Sequence, residues 1–225
     1  MEKLETRSQK SEPVLVCFAL KEEAGPFRKL AAGCDDVSIL ITGIGHKNSE
    51  TAFREFLKQS SSQSVFTCGF AGGLDPELAI GDVIFETSDD GLRQKLVAAN
   101  ARPAKIFCAS RIATDVAEKQ ELRRTTGADA VEMESKAIQA ICRERGIPCA
   151  TVRVISDTAH EGLPLDFNRL SKPDLSMDYG KLAWAVAKSP GKIPALLRLQ
   201  KNCQQAAVRL AKVLMQVIGS TDFKL

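Results

Sequence analysis

Histidine is scarce in this chain: His46 and His160 are the only two, and neither has a partner at metal-ligand spacing. No Cys-x-x-Cys pair occurs among the seven cysteines either, so a zinc or iron site has no ligand set to draw on. Charge of one sign is not in excess. Lys and Arg total 31 against 28 Asp and Glu, a formal net charge of +3, and no like-charged run is long enough to make a nucleic-acid arm. The opening residues lack the charged-then-apolar order of an export signal, and residues 1–12 are too polar to insert in a membrane. They read as a disordered extension, and the protein as cytoplasmic. Missing too are a Gly-x-Ser-x-Gly elbow and a Gly-x-x-x-x-Gly-Lys phosphate loop.

What is present reads as a soluble globule. The 225 residues suffice for one large domain, 1–225, that buries roughly 70% of its unfolded surface without a staple. Hydrophobic residues at 44% and charged residues at 26% are near globular averages. The cysteine count is odd, and several lie in apolar runs such as Leu15-Val16-Cys17-Phe18, where a thiol behaves as a small hydrophobe. Reduced, buried thiols follow.

Branched apolar runs at residues 13–20, 36–42, 65–69, 80–86, 104–109, 128–131 and 148–155 predict strands. Between them, helical spacing predicts helices over 21–32, 47–58, about 93–99, 115–126 and 134–145, the fourth opened by an Asp115/Glu118 capping box. Alternating strands and helices argue for an α/β fold: a three-layer αβα arrangement around a mostly parallel, mixed and covered sheet. Beyond Asp157 strand signals stop and two helices remain, 179–188 and 193–218. In the second, apolar residues from Leu196 to Val217 recur at steps of three and four, the mark of a terminal helix packed on the sheet. A basic excess after residue 157, ten Lys or Arg against five Asp or Glu, with exposed-looking Leu175, Met177 and Trp184, keeps peripheral membrane contact through the C-terminal third as a second reading.

Ligands of open α/β sheets bind beyond the carboxyl ends of strands, which puts weight on Glu22-Glu23, Gly43-Ile44-Gly45, Phe70-Ala71-Gly72-Gly73 and Ser156-Asp157. Gly43-x-Gly45 is not a dinucleotide fingerprint, because the position three after Gly45 is Asn48. Taken singly, Asp157 is a turn former, and Glu132 and Glu134 are helix-dipole partners. Together, acids at neighbouring strand ends in a dry cleft raise the proton affinity of at least one.

The motifs Ala19-Leu20-Lys21-Glu22-Glu23, Thr42-Gly43-Ile44-Gly45, Gly69-Phe70-Ala71-Gly72-Gly73-Leu74 with Ile80-Gly81-Asp82-Val83, Val131-Glu132-Met133-Glu134-Ser135 and Val152-Arg153-Val154-Ile155-Ser156-Asp157 stand in one order. With them the chain resembles the nucleoside phosphorylase and nucleosidase superfamily, in particular the methylthioadenosine/S-adenosylhomocysteine nucleosidases. The tail, with Asp166-Phe167-Asn168-Arg169-Leu170 and residues 190–197, is more similar to hopanoid-associated phosphorylase-like proteins, which act on an adenosyl group carried by a large hydrocarbon.

The resemblance implies cleavage of the ribose C1′ to purine bond of a small-molecule nucleoside. It makes Asp157 the acid that protonates the base, oriented by Ser156, and Glu23 the base that activates water, helped by Arg153. It gives Glu134 the ribose hydroxyls, lines the sugar with Glu132 and Met133, and places Ile44, Gly45, Phe70, Ala71 and Gly72 around the substrate. No cofactor is implied, apart from inorganic phosphate if the reaction is phosphorolytic, and a homo-oligomer is expected. Two departures stand out. Phe70 occupies the place of a small hydroxyl residue in the phosphate loop, which favours hydrolysis. The aromatic residue that would stack on adenine near residues 106–109 is absent, leaving Arg111 or Ile112 to replace it. Phosphorolysis, or nucleoside binding without catalysis, is the alternative.

Overall fold

The computed structural model describes residues 13–176 and 178–219, so the readings for residues 1–12 and Met177 lie outside the described residues. The elements run β1 (Val14–Phe18), α1 (Lys21–Leu30), β2 (Val37–Ile41), α2 (His46–Gln59), β3 (Ser64–Gly73), β4 (Val83–Thr87), α3 (Asp90–Ala98), β5 (Arg102–Pro103) and β6 (Ile106–Cys108). Then come α4 (Val116–Thr126), β7 (Ala130–Glu132), α5 (Ser135–Arg145), β8 (Cys149–Asp157), α6 (Phe167–Leu170), α7 (Tyr179–Lys188) and α8 (Ile193–Ile218).

The strands form one mixed sheet in the order β2-β1-β3-β8-β4-β5. Neighbours pair parallel except β4 with β8, while β7 pairs antiparallel with the end of β3 and parallel with β6. Alternation along β1 shows why the sheet is covered on both faces. Leu15 and Cys17 pack with Phe53 of α2 and Ile138, Ile141 and Cys142 of α5. Val16 and Phe18 point the other way, into a cluster with Phe27 of α1, Leu92 and Leu96 of α3, and Leu210 and Leu214 of α8. The Phe18 and Phe27 rings lie 5.9 Å apart at 44°, and each fully buried ring contributes roughly 1.5–3 kcal/mol. The result is the expected αβα layering.

Three local expectations are corrected. The strand read at 80–86 begins at Val83, because residues before it turn: Gly81 N–H donates to Ile155 O, and Asp82 accepts from Ala79 N–H. β3 does not stop at Gly69. It continues through a bulge between Ala71 and Gly72, which lets its end leave β8 and take β7 as partner. A third helix, α6, follows Asp157, capped by the Asp166 carboxylate on the N–H groups of Asn168 and Arg169. The terminal helix packs on the sheet as expected, through its second half: the apolar stripe of α8 is buried from Ala206 onward, against α1 and the sheet, while Leu197 is exposed.

Candidate active site

The carboxyl ends of β1, β3 and β8, the end of β7 and the turn after β2 surround one cleft of about 220 Å³. It lies where strand order reverses between β1 and β3, the position at which a doubly wound sheet opens. Glu23, Ile44, Phe70, Ala71, Gly72, Glu132, Met133, Glu134, Ser156 and Asp157 all line it. Two of the residues expected there stand behind the wall. Gly45 reaches the site through its N–H, which donates to Glu134 Oε1 at 2.9 Å, and Arg153 lies beneath the floor.

Glu23 sits in the first turn of α1 with both oxygens held: Oε1 accepts Phe70 N–H and Oε2 accepts Leu20 N–H, each at 2.9 Å. Burial pushes its carboxyl above the ordinary range, and those N–H groups and Arg153 pull back only part of the way. The close approach needs glycine on the neighbouring strand, since a Cβ at Gly69 would fall 2.7 Å from Glu23 Oε1.

Glu132 and Glu134 mark the step from β7 into α5. Burial drives the Glu132 carboxyl up, but the Arg153 guanidinium, the Ser135 hydroxyl and the Glu134 N–H outweigh it and hold Glu132 below the carboxylate range. Glu134 goes the other way, pushed up to about 7 by burial and then by the negative charge of Glu132, despite Arg153. One acid stays charged so that its neighbour resists charging.

Arg153, in the middle of β8, donates to Glu132 and to Thr67 O, and its Nη2 lies 3.9 Å from Glu134. The guanidinium is held more firmly protonated than usual: burial opposes this, and the charges of Glu132 and Glu134 overcome it. Its Nε is buried with no hydrogen-bond partner among the described residues. Arg153, expected to help Glu23, makes its hydrogen bonds to Glu132, Thr67 and Val152 and acts on Glu23 through its charge.

Asp157, at the end of β8, accepts the Ser156 hydroxyl on Oδ1 at 2.7 Å. Its Oδ2 accepts from the Lys119 ammonium, an ion pair in which Lys119 is 0% and Asp157 11% exposed. Lys119 comes from α4, whose start is fixed by Asp115 accepting Glu118 N–H (2.8 Å) and Glu118 reaching back to Thr114 N–H (2.9 Å). Gly72 makes room for the pair, because a Cβ there would stand 3.3 Å from Asp157 Oδ2 and 3.7 Å from Lys119 Cε. Sequence reading missed Lys119, since a lysine one turn into a polar helix looks like solvated surface.

The rim is apolar: Leu20, Ile112, Leu163, Phe167, Leu199 and the Cys203 thiol, which burial and the nearby Asp157 and Glu23 charges push up to about 11. Arg111 and Ile112, the candidates for stacking on a base, both line the cleft. The Asn168 side chain clamps Ile112 by bonding its N–H and its carbonyl, each at 2.9 Å, which explains the Phe167-Asn168 pair: one residue faces the cleft, the other fixes its wall. Arg111 pairs with Glu118 at 2.6 Å.

This fold and this ring of acids agree with a match to the phosphorylase superfamily over residues 19–93 and 85–188, and the chain belongs to that family. Among its relatives, the aminodeoxyfutalosine nucleosidase of Campylobacter jejuni is 25% identical over 166 residues, 59% of this chain and 72% of the relative. The 5′-methylthioadenosine/S-adenosylhomocysteine nucleosidase of a Marinomonas species is 27% identical over 185 residues, 63% of this chain and 80% of its own. Helicobacter pylori futalosine hydrolase shares the fold with a TM-score of 0.72 at 16% identity, covering 93% of this chain and 98% of the other. The 5′-methylthioadenosine/S-adenosylhomocysteine nucleosidase of the same organism, solved in complex with an aminopyrrolopyrimidine linked to a pyrrolidinol, gives 0.72 at 18% identity over 94% and 100%.

Proposed function

We propose that the protein is a purine nucleosidase that hydrolyses the bond between ribose C1′ and an adenine-type base, without a cofactor, in a nucleoside carrying a large apolar 5′-group. The observation that carries this reading is the meeting of Glu23, Glu134 and Asp157, delivered from different elements, around one cleft with an apolar rim. A purine anion leaves poorly, so Asp157 hands a proton to N7 as the bond breaks, a contribution of roughly 10²–10⁴-fold. Ser156 fixes its orientation. Glu23, whose raised proton affinity suits a base, takes the proton of the water attacking C1′. Glu134 accepts the ribose hydroxyls, and the surrounding carboxylates stabilise the cationic sugar of the transition state.

Hydrolysis is favoured over phosphorolysis because Arg111, the basic residue lining the cleft, is already paired, and Phe70 fills the phosphate loop. The apolar rim and the Asp166–Leu170 motif support a large hydrocarbon, hopanoid in kind, on the 5′-carbon. Such a substrate resides in membranes. Support for membrane contact comes from residues 179–219, which hold seven Lys or Arg and no Asp or Glu, and from α7, which buries nothing and exposes Tyr179 (74%) and Trp184 (63%). No helix among the described residues is long and apolar enough to cross a membrane. The seven unpaired thiols fit a reducing cytoplasm, where the protein is expected to act as a homo-oligomer.

The test is product analysis on adenosine, inosine, methylthioadenosine and a long-chain adenosyl compound, each with and without phosphate. Free ribose sugar and adenine, independent of phosphate, are expected, with the long-chain compound turned over fastest. Ribose 1-phosphate would mean phosphorolysis, and tight binding without turnover of any member would mean a nucleoside-binding protein.

A further inference from the structure

Lys119 is wholly buried, with three oxygens around its charged end. Its Nζ donates to Asp157 Oδ2, to Thr158 O at 2.7 Å and to Glu161 O at 2.8 Å. An ammonium has three N–H donors and no acceptor, so three oxygens use it completely, whereas a neutral amine would aim its lone pair at one of them. The ion-pair form, an ammonium beside a carboxylate, thus uses every donor on Lys119. In that form Asp157 receives donors on both oxygens, from Lys119 and from the Ser156 hydroxyl. A carboxylate has no proton to give to a leaving purine.

We propose that Lys119 is the proton store of the site, a positioning residue that charges Asp157 when substrate arrives. This rests on the nucleosidase reading above. Asp157 lines the cleft and keeps a small part of its side chain exposed to water. A purine lying there removes that water, and a buried pair stripped of solvent favours the neutral form over two separated charges. One proton moves from Lys119 Nζ to Asp157 Oδ2. As C1′–N9 breaks, its electron pair goes to the purine and the Asp157 proton goes to N7. Glu23 takes one proton from the attacking water, whose oxygen bonds to C1′. When product leaves and water returns, Glu23 releases its proton and Lys119 regains one. One water is consumed, and the enzyme ends as it began.

A bland alternative exists, in which Lys119 only ties α4 to the turn after β8. Two substitutions separate the roles: Lys119→Arg keeps the charge and the donors but cannot release a proton, and Lys119→Met keeps neither. Each is assayed on the adenosyl substrate and on 4-nitrophenyl β-riboside, whose leaving group needs no protonation. With a proton store, both variants lose about 10²-fold or more in kcat on the nucleoside at little change in KM, and keep the ratio of nitrophenyl turnover to wild type near one. Recovery of nucleoside turnover by Lys119→Arg, or equal losses on both substrates in variants that fold, overturns the proposal. Should the wild type ignore the nitrophenyl riboside, the arginine variant alone decides, folding being checked by its melting temperature; if only Lys119→Met folds, its ratio of the two activities decides. A wild type that cleaves no nucleoside would instead overturn the nucleosidase reading itself.

Discussion

Two buried cation–carboxylate pairs flank the cleft, and they differ in what their acids can do. Arg153 lies under the floor and Glu132 in it, both side chains essentially inaccessible, with Ser135, the Glu134 N–H and Thr67 completing their hydrogen bonds. Lys119 and Asp157 stand at the edge, with the cation sealed and the acid open to the cleft. The first pair is built to keep its charges fixed, which is what a neighbouring acid of raised proton affinity requires. The second can change state, because one partner meets whatever enters. Similar chemistry at two depths thus yields a fixed field in one place and a movable proton in the other.

Removing Arg153 breaks the deeper pair and leaves the Glu132 charge stranded. Arg153→Met should lose ~3–5 kcal/mol in denaturant unfolding, the usual cost of an uncompensated buried charge. A loss under ~1 kcal/mol would erase the distinction between the pairs. Lys119→Met should cost less, ~1–3 kcal/mol, because Asp157 can turn to water in the cleft. If the two variants are equally unstable, depth is not what separates them.

Glu134 sharpens the comparison through pH. Its carboxyl is raised in the fold from 4.5 to about 7, so the native state binds that proton more tightly than the unfolded chain. The associated stability is complete below pH 4.5 and is lost as pH rises through about 7. Glu134→Gln keeps an acceptor for the Gly45 N–H and removes the charge. Its melting temperature should match wild type at the acid end and exceed it at pH 8; a variant less stable at pH 8 would contradict this. The smallest effect is expected far from both pairs. Trp184→Ala, on exposed α7, should change stability by no more than ~0.5 kcal/mol while weakening sedimentation with anionic vesicles.

Much of this was legible in the chain, for reasons visible in particular residues. Leu15-Val16-Cys17-Phe18 must be covered on both faces, and Arg153 within an apolar strand must find an acid. The order of the strand-end motifs brought Glu23, Glu134 and Asp157 to one place. Three things were not legible. Lys119 becomes special only because α4 packs over the end of β8. The Asn168 clamp on Ile112 joins residues 56 apart. The apolar stripe of α8 is uniform in sequence, yet only the half beyond Ala206 has a sheet beneath it, and that depends on where the chain turns back.

Departure of the base is assigned to the proton that Asp157 delivers. That role is tested most directly by the turnover of an adenosyl nucleoside by Asp157→Asn, with binding measured on the same preparation and the Asp157→Asn/Lys119→Met double variant as the charge-balanced control. Both variants should fall by about 10²–10⁴-fold in kcat while still binding the nucleoside. Turnover within a few-fold of wild type in either variant would contradict it.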